Sequence, residues 1–245
     1  MKPQGMAFGA ALEELRRAQK AAKGVSLYSR HVNRPAGSVL AAVAFRVGAT
    51  PNQVTLISAA FTFSALSVLA CLRPSWLVGF TVYAGLAVGF SFDSADGQLA
   101  RLRGESTAVG EWLDHVVDCA KITALHAAVL ISFYRFFALP GPGWMLVPLG
   151  FQLAAVLIFF GGLLTDKLKP RTSAAVKGSA DVAVARLRAV ALLPVDYGVF
   201  CAVFLLLGSE HLFLIGYVLF FAGHVLFLGA FTVKWFRELA AFPRA

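Results

Sequence analysis

Six of the thirteen acidic residues in this 245-residue chain lie within one stretch of 26 residues. They are Asp93, Asp96, Glu105, Glu111, Asp114 and Asp118. On helices, residues three or four apart share a face, so the first two aspartates share one face and the last two share a face of the next helix. A turn around Gly104 would fold these helices antiparallel. The sequence therefore predicts four carboxylates in a small volume.

Carboxylates at this density need a counter-charge, because unpaired negative charges repel one another and are costly near a membrane. Magnesium takes oxygen ligands and keeps positions open for the oxygens of substrate phosphates. The cluster therefore predicts a site for two divalent cations, Mg²⁺ or Mn²⁺. The alternative is structural, with the acids forming ion pairs at a wetted helix end. The basic residues available for such pairs are Arg101, Arg103 and Lys121.

Small residues accompany the acids on the same helices. Gly97 and Gly110 each stand inside a predicted helix, where glycine costs about 1 kcal/mol relative to alanine. A close approach of backbone or ligand is therefore expected beside them. Ala100 is small for the same reason, and Arg101 can offer its planar guanidinium to a phosphate. The pattern favours phosphate chemistry next to the carboxylates.

The composition places this cluster in a membrane protein. Hydrophobic residues make up 58% of the chain, charged residues 14%, and the mean hydropathy is +0.73. Average proteins carry about a quarter charged residues, so a soluble enzyme is excluded. The net charge of +9, from 22 basic and 13 acidic residues, indicates basic cytoplasmic loops rather than binding to nucleic acid.

A helix needs about 20 apolar residues to cross the hydrocarbon of a bilayer, and six stretches approach that length. They are residues 53–72, 76–92, 116–138, 143–165, 189–208 and 212–233. The expected fold is all-α, with six transmembrane helices preceded by an interfacial amphipathic helix. That interfacial helix is expected from Arg30 to Arg46, with Val39 and Val43 on one face.

The distribution of basic residues predicts the orientation in the membrane. With the N-terminus inside, 19 of the 22 basic residues lie inside or at the inner surface, as the positive-inside rule requires. We expect both termini in the cytoplasm, in the cell membrane of a bacterium to judge from the alanine and arginine content. The expected divisions are an interfacial or cytoplasmic segment (1–52), a six-helix membrane domain (53–236) and a cytoplasmic tail (237–245).

The spacing of residues from Asp93 to Asp118 reads D-x2-D-G-x2-A-R-x8-G-x3-D-x3-D, with every specified position filled. This string resembles the signature of the CDP-alcohol phosphotransferase family. The similarity extends to the six-helix layout and the preceding interfacial helix, and it is most specific in residues 93–118.

The resemblance implies a reaction and roles for the four aspartates. A CDP-linked donor, typically CDP-diacylglycerol, would lose CMP as the hydroxyl of an alcohol attacks the phosphorus. Asp93, Asp96 and Asp114 would be metal ligands, and Asp118 would share the metal cluster and act as general base. Family members are commonly homodimers, so the resemblance also implies a homodimer surrounded by membrane lipids.

The nucleotide of the donor is expected beside the acids. The resemblance implies that three residues line the pocket for cytidine diphosphate: Gly97, Ala100 and Arg101. The segment 29–35 followed by 50–55 resembles the entry segment of family members that use inositol phosphate or related polar acceptors, and Asn52 and Thr55 would then face the nucleotide. The alternative for residues 50–52 is a plain helix start, with a polar cap followed by proline.

A basic stretch, residues 166–188, follows the fourth predicted span. It is expected to attract a phosphorylated acceptor such as inositol phosphate or glycerol phosphate through four residues: Lys167, Arg171, Arg186 and Arg188. The alternative is an ordinary positive-inside loop that holds anionic lipid headgroups. Serine is another acceptor that the sequence leaves open.

Two further sites have both a functional and a structural interpretation. Lys121 lies inside the third predicted span, where it either holds Asp118 or a substrate phosphate, or forms a structural ion pair. Asp196 and Tyr197, just after Pro194, belong either to a pocket wall or to a kinked helix with access to water.

Two other classes of membrane protein carry acidic clusters. Intramembrane prenyltransferases normally have aspartate-rich motifs on two separated helix pairs, whereas this chain has one cluster. Divalent-cation transporters would place acids near the membrane midplane on several helices, whereas this cluster is predicted at one surface. Release of CMP from a CDP-linked donor would separate these alternatives from the transferase.

Overall fold

A computed structural model of the chain describes residues 8–17, 26–169 and 190–242. Every regular element in these ranges is a helix, and none of these residues lies in a β-strand. Five helices are long and apolar enough to cross a membrane. The chain is therefore an all-helical, multi-pass membrane protein, as its composition predicted.

Most of the described residues lie in α-helices. In chain order they are α1 (Phe8–Arg17), α2 (Arg34–Arg46), α3 (Pro51–Cys71), α4 (Trp76–Arg103), α5 (Ala108–Phe136), α6 (Leu146–Leu168), α7 (Tyr197–Cys201) and α8 (Glu210–Ala240). A π-helical turn at Ser29–Asn33 leads into α2, and a 3-10 turn at Pro142–Met145 leads into α6. Five of the six predicted spans correspond to α3, α4, α5, α6 and α8.

The fifth predicted span, 189–208, is not one regular helix over its described part. Its elements are the 3-10 turn Leu193–Val195, α7, and the 3-10 helix Ala202–Gly208. Pro194 lacks the N–H that would continue a helix, and Asp196 caps α7 by accepting a hydrogen bond from the Val199 N–H at 3.0 Å. The apolar piece Tyr197–Gly208 is shorter than the five long helices. Five long helices and this shorter segment thus stand where six transmembrane helices were expected.

The turn between α4 and α5 brings the acid-bearing helix ends side by side. Gly104 ends α4 with φ of 70°, a left-handed conformation that glycine adopts without strain. Thr107 then caps α5, its hydroxyl accepting a hydrogen bond from the Gly110 N–H at 3.0 Å. Because α4 continues unbroken through Asp93, the helix carries the acids beyond its apolar part.

The start of α3 follows the helix-start interpretation of residues 50–52. The Thr50 hydroxyl accepts a hydrogen bond from the Gln53 N–H at 3.3 Å, and Gln53 Oε1 accepts one from the Thr50 N–H at 2.8 Å. This reciprocal arrangement is a capping box, with Pro51 in the first helical turn. It sets the direction in which the next turn of α3 meets α4.

Two apolar cores hold the helices together. The larger joins α3, α4, α5, α6, α8 and the broken segment 197–208. The smaller packs α2 against α3 and α4 through residues that include Ala41, Phe45 and Leu99. The opposite face of α2 exposes Val39 and Val43, as predicted for a helix lying in the headgroup plane. The acid-bearing end of α4 is therefore covered by α2.

Candidate functional site

Three of the four predicted aspartates converge between α4 and α5. One carboxylate oxygen from each of Asp93, Asp114 and Asp118 lies within 4.8 Å of the other two. All three residues are partly exposed, so an ion or a substrate can reach them. Oxygen donors at this spacing are the chemistry that a hard divalent cation requires. The donor set therefore fits the predicted metal.

Asp96, the fourth aspartate, lies at the edge of this group and is buried. Its Oδ2 accepts a hydrogen bond from the Thr55 hydroxyl of α3 at 2.6 Å, and its Oδ1 accepts one from the Gly97 N–H at 2.5 Å. The negative charges of Asp93 and Asp114 act on it. The structure thus brings Asp96 near the other acids and ties it to α3 through Thr55.

Lys121 supplies positive charge inside the cluster. It is buried on α5, where its ammonium contacts Asp93 and donates hydrogen bonds to Asp118 Oδ1 at 3.3 Å and to Ser58 Oγ at 2.9 Å. Arg103, another of the three basic residues predicted as possible partners, pairs instead with Glu105 of the turn. Ion pairing is therefore part of the site. The three carboxylates also remain an oxygen-rich group of the kind that a divalent cation binds.

The predicted nucleotide-binding residues lie on α3 and α4 around the acids. A Cβ at Gly110 would come within 3.2 Å of Asn52 Oδ1, so the glycine lets α5 approach the start of α3. A Cβ at Gly97 would have, among the described residues, only Arg101 Nη1 as a side-chain neighbour, at 3.5 Å. The space beside Gly97 is therefore not filled by another described helix. Ala100 and Arg101 are partly exposed one turn further along.

Gln98, for which the sequence predicted no role, attaches α2 to this site. The Ser38 hydroxyl donates to Gln98 Oε1 at 2.7 Å, and Gln98 Nε2 donates to the carbonyl of Arg34 at 3.1 Å. The positive charges of Arg34 and Arg101 act on each other. The available sequence signal for Gln98 was its place directly after Gly97, inside the acidic stretch.

A cavity of about 140 Å³ adjoins the carboxylates. Asp93, Asp118 and Lys121 form its charged part. The rest of its lining comes from Thr62, Phe90, Ile122, Phe159 and Tyr197. Tyr197 had been considered for a pocket wall, and the structure places it there. The apolar members carried no sequence signal, because they look like lipid-facing residues in any transmembrane helix.

The basic residues after α6 are only partly described. Lys167 pairs with Glu111 in the first turn of α5. Lys169 forms an ion pair with Glu238, with the nitrogen 2.9 Å from the carboxylate oxygen, and this carboxylate raises the pKa of Lys169. The remaining predicted acceptor contacts, Arg171, Arg186 and Arg188, lie outside the described residues.

Comparison with known proteins relates the chain to one family of transferases. The family model described as CDP-alcohol phosphatidyltransferase matches residues 48–228. The chain is 29% identical over 144 residues to cholinephosphotransferase 1 of Saccharomyces cerevisiae, a match covering 55% of this chain. It is 34% identical over 104 residues to phosphatidylinositol phosphate synthase of Corynebacterium glutamicum, a match covering 40% of this chain. These matches span 34% and 45% of the respective relatives.

Proposed function

The chain belongs to the CDP-alcohol phosphatidyltransferase family, and from this premise we propose that it transfers a substituted phosphate from a CDP-linked donor to an alcohol. CMP is the second product, and the reaction belongs to phospholipid biosynthesis. The observation that carries the proposal is the convergence of Asp93, Asp114 and Asp118, whose spacing is that of the family signature.

The proposed metal site holds two divalent cations, Mg²⁺ or Mn²⁺. The residues that would hold them are Asp93, Asp96, Asp114 and Asp118. When bound, such ions neutralise and orient the diphosphate of the donor. The hydrogen bond from Thr55 fixes the carboxylate of Asp96, and Lys121 orients the carboxylates of Asp93 and Asp118.

Asp118 is the proposed general base. It accepts the proton of the acceptor hydroxyl while that oxygen bonds to the phosphorus and the bond between phosphorus and the CMP oxygen breaks. Lys121 donates a hydrogen bond to Asp118 Oδ1 at 3.3 Å and so orients the carboxylate. Asp118 lies about 6 Å further along α5 than Asp114, at about 1.5 Å per residue, and lines the cavity.

The nucleotide and the acceptor are proposed to bind at the same end of the helices. The proposed nucleotide contacts are Gly97, Ala100, Arg101, Asn52 and Thr55. The unfilled space beside Gly97 supports this assignment. The phosphate of the acceptor is proposed to contact Lys167, Arg171, Arg186 and Arg188, because several positive charges in one segment attract an anion.

The proposed donor is CDP-diacylglycerol, and the proposed acceptor is inositol phosphate or glycerol phosphate. The name of the Corynebacterium relative, phosphatidylinositol phosphate synthase, supports phosphatidyl transfer to a phosphorylated alcohol. The name of the yeast relative, cholinephosphotransferase 1, favours a second possibility, in which the CDP group is carried by a small alcohol and the lipid is the acceptor.

The proposed setting is a bacterial cell membrane, with both termini cytoplasmic and two copies of the chain forming a homodimer. The proposed membrane domain remains 53–236, flanked by the segments 1–52 and 237–245. The positive-inside bias of the sequence supports the orientation.

The test is CMP release by purified protein in phospholipid–detergent micelles with Mg²⁺ or Mn²⁺. CDP-diacylglycerol is offered with inositol phosphate, glycerol phosphate or serine in turn, and CDP-choline is offered with diacylglycerol. We expect one pair to yield CMP and the matching phospholipid. Asp93→Asn should abolish release, whereas Asp166→Asn, at an exposed acid beside Lys169, should not. If no substrate pair releases CMP with either metal, the result would contradict the proposal and favour the prenyltransferase or the transporter.

A further inference from the structure

Tyr197, the first residue of α7, forms part of the wall of the cavity beside the acids. Its ring meets Phe90 edge-on, with ring centroids 5.0 Å apart. The charges of Asp93 and Asp118 act on its hydroxyl. The phenol therefore joins the charged part of the cavity to its apolar part.

The Tyr197 hydroxyl is enclosed but makes no well-formed hydrogen bond within the described part of the chain. Its polar neighbour there is the thiol of Cys201, which is a weak acceptor. Buried hydroxyls are normally paired, as Tyr217 is with His126 at 2.7 Å. An oxygen of a molecule in the cavity would supply the strong acceptor that Tyr197 lacks among these residues.

Tyr197 is held in place by the residue before it. The carboxylate of Asp196 accepts hydrogen bonds from the Val199 N–H at 3.0 Å, the Ser29 hydroxyl at 2.8 Å and the Ser26 hydroxyl. The ring of Tyr28 lies against Gly198, where any larger side chain would collide with it. These contacts, the Asp196 clamp, attach α7 to the segment before α2. These contacts, on both sides of Tyr197 in the sequence, hold it in its place in the cavity wall.

The lining of the cavity indicates what kind of molecule fits. One part is charged, whereas Phe90, Ile122 and Phe159 make another part apolar. A small polar alcohol has no hydrocarbon to place against these side chains, and the proposed nucleotide contacts on α3 and α4 are not among the residues that line this cavity. A lipid-borne molecule has a polar head, a hydrocarbon tail and oxygen atoms at the junction between them.

We propose that Tyr197 determines how the lipid-borne substrate is held, its hydroxyl donating a hydrogen bond to an oxygen at the junction of headgroup and hydrocarbon. This inference rests on the proposed function. The chemistry is shared whether the lipid carries the CDP group or the acceptor hydroxyl, and the substrate pair that releases CMP distinguishes these two cases.

The experiment compares the kinetics of wild type and Tyr197→Phe with the active substrate pair. The KM for the lipid-borne substrate, measured as its mole fraction in micelles, should rise by about tenfold on loss of one hydrogen bond. The KM for the water-soluble substrate should change less than about twofold. Tyr217→Phe is the matched control, since it removes a buried tyrosine hydroxyl that lies outside the cavity lining, and it should leave both KM values unchanged.

A second variant, Ile122→Phe, fills the apolar part of the cavity and should also raise the KM for the lipid-borne substrate selectively. Asp196→Asn weakens the clamp and should produce the same selective change, smaller than that of Tyr197→Phe. This inference is overturned if Tyr197→Phe leaves the KM for the lipid-borne substrate unchanged, or if it raises the KM for both substrates equally. In either case, CMP release by the wild type would still uphold the proposed function. A wild type that releases no CMP overturns the proposed function itself.

Discussion

The acid cluster and the pair formed by His126 and Tyr217 are two polar sites inside transmembrane helices, and they are built in opposite ways. In the cluster, three carboxylates converge next to a cavity, and one ammonium contacts two of them. In the pair, a 2.7 Å hydrogen bond joins His126 Nδ1 to the Tyr217 hydroxyl. The ring centroids of Phe151 and His126 are 4.2 Å apart. His126 and Tyr217 are 3% and 0% exposed.

The acid cluster is suited to a reaction, whereas the buried pair is suited to holding helices together. Clustered carboxylates beside open volume can bind an ion or a substrate, whereas a hydrogen-bonded pair packed among aromatic rings has no group left to bind one. His126 lies on α5 and Tyr217 on α8, so their hydrogen bond joins two helices that are distant in sequence. We expect substitutions in the cluster to change turnover, and substitutions in the pair to change stability.

The largest expected effect is the loss of turnover in Asp118→Asn. The amide cannot accept the proton of the acceptor hydroxyl, so kcat should fall by about 10²- to 10⁴-fold. Metal-dependent binding of the CDP-linked donor should be largely retained, as titration calorimetry would measure. Glu111→Gln is the control on the same helix. Full activity of the Asp118→Asn variant would show that Asp118 is not the general base, and it would weaken the contrast between the two sites.

The next effect concerns stability within the cluster. Lys121→Met leaves Asp93 and Asp118 without this counter-charge, and removing one partner of a buried ion pair costs about 3–5 kcal/mol. Thermal unfolding in EDTA should therefore begin at a lower temperature than in wild type. Mg²⁺ should restore the variant more than it stabilises wild type, because a cation can replace the missing ammonium. Equal stabilisation of both proteins by Mg²⁺ would show that the cation does not occupy this site.

The buried pair should respond in the opposite way. Tyr217→Phe leaves His126 without its hydroxyl partner, which should destabilise the protein by about 1–3 kcal/mol. Both kcat and KM should remain within about twofold of wild type. Unfolding curves and CMP release measured on the same preparation check this. A fall in kcat with unchanged stability would mean that the pair takes part in the reaction and would break the comparison.

The smallest effects are expected in the basic segment, which tests whether charge outside the cluster also serves the reaction. Neutralising Arg171, Arg186 and Arg188 together should raise the KM of a phosphorylated acceptor by about tenfold and leave that of the donor unchanged. Lys167→Ala alone should change stability by less than about 1 kcal/mol, because Lys167 and Glu111 form an exposed pair. Equal changes in both KM values would favour binding of anionic lipid headgroups.

The convergence of the acids was predictable because it depends on local rules. Helical spacing puts paired aspartates on one face, and Gly104 supplies the turn that brings the faces together. The support around them was not predictable. Thr55 and Asp96 are 41 positions apart, and Ser58 and Lys121 are 63 apart, so neither hydrogen bond follows from helical periodicity.

The broken segment shows the limit of hydropathy as a guide to fold. Residues 189–208 are apolar enough to predict a transmembrane span. Pro194 nevertheless interrupts the regular helix, and Asp196 caps a new helix, α7. Both residues were visible in the sequence as a kink signal. Their consequence, a fixed Tyr197 facing the cavity, depends on Ser26 and Ser29, which lie about 170 positions away.

The sequence by itself determined residence in the membrane, the helical class of the fold and the chemistry of the acidic stretch, because composition and short-range spacing act within one helix or one turn. Tertiary structure decided which polar groups are satisfied and which remain open. It paired Lys121 with Asp93 and Asp118, turned Asp96 toward Thr55, and left Tyr197 at the cavity wall. The physical reason is that satisfaction of a buried group depends on the neighbours that packing brings to it from distant parts of the chain.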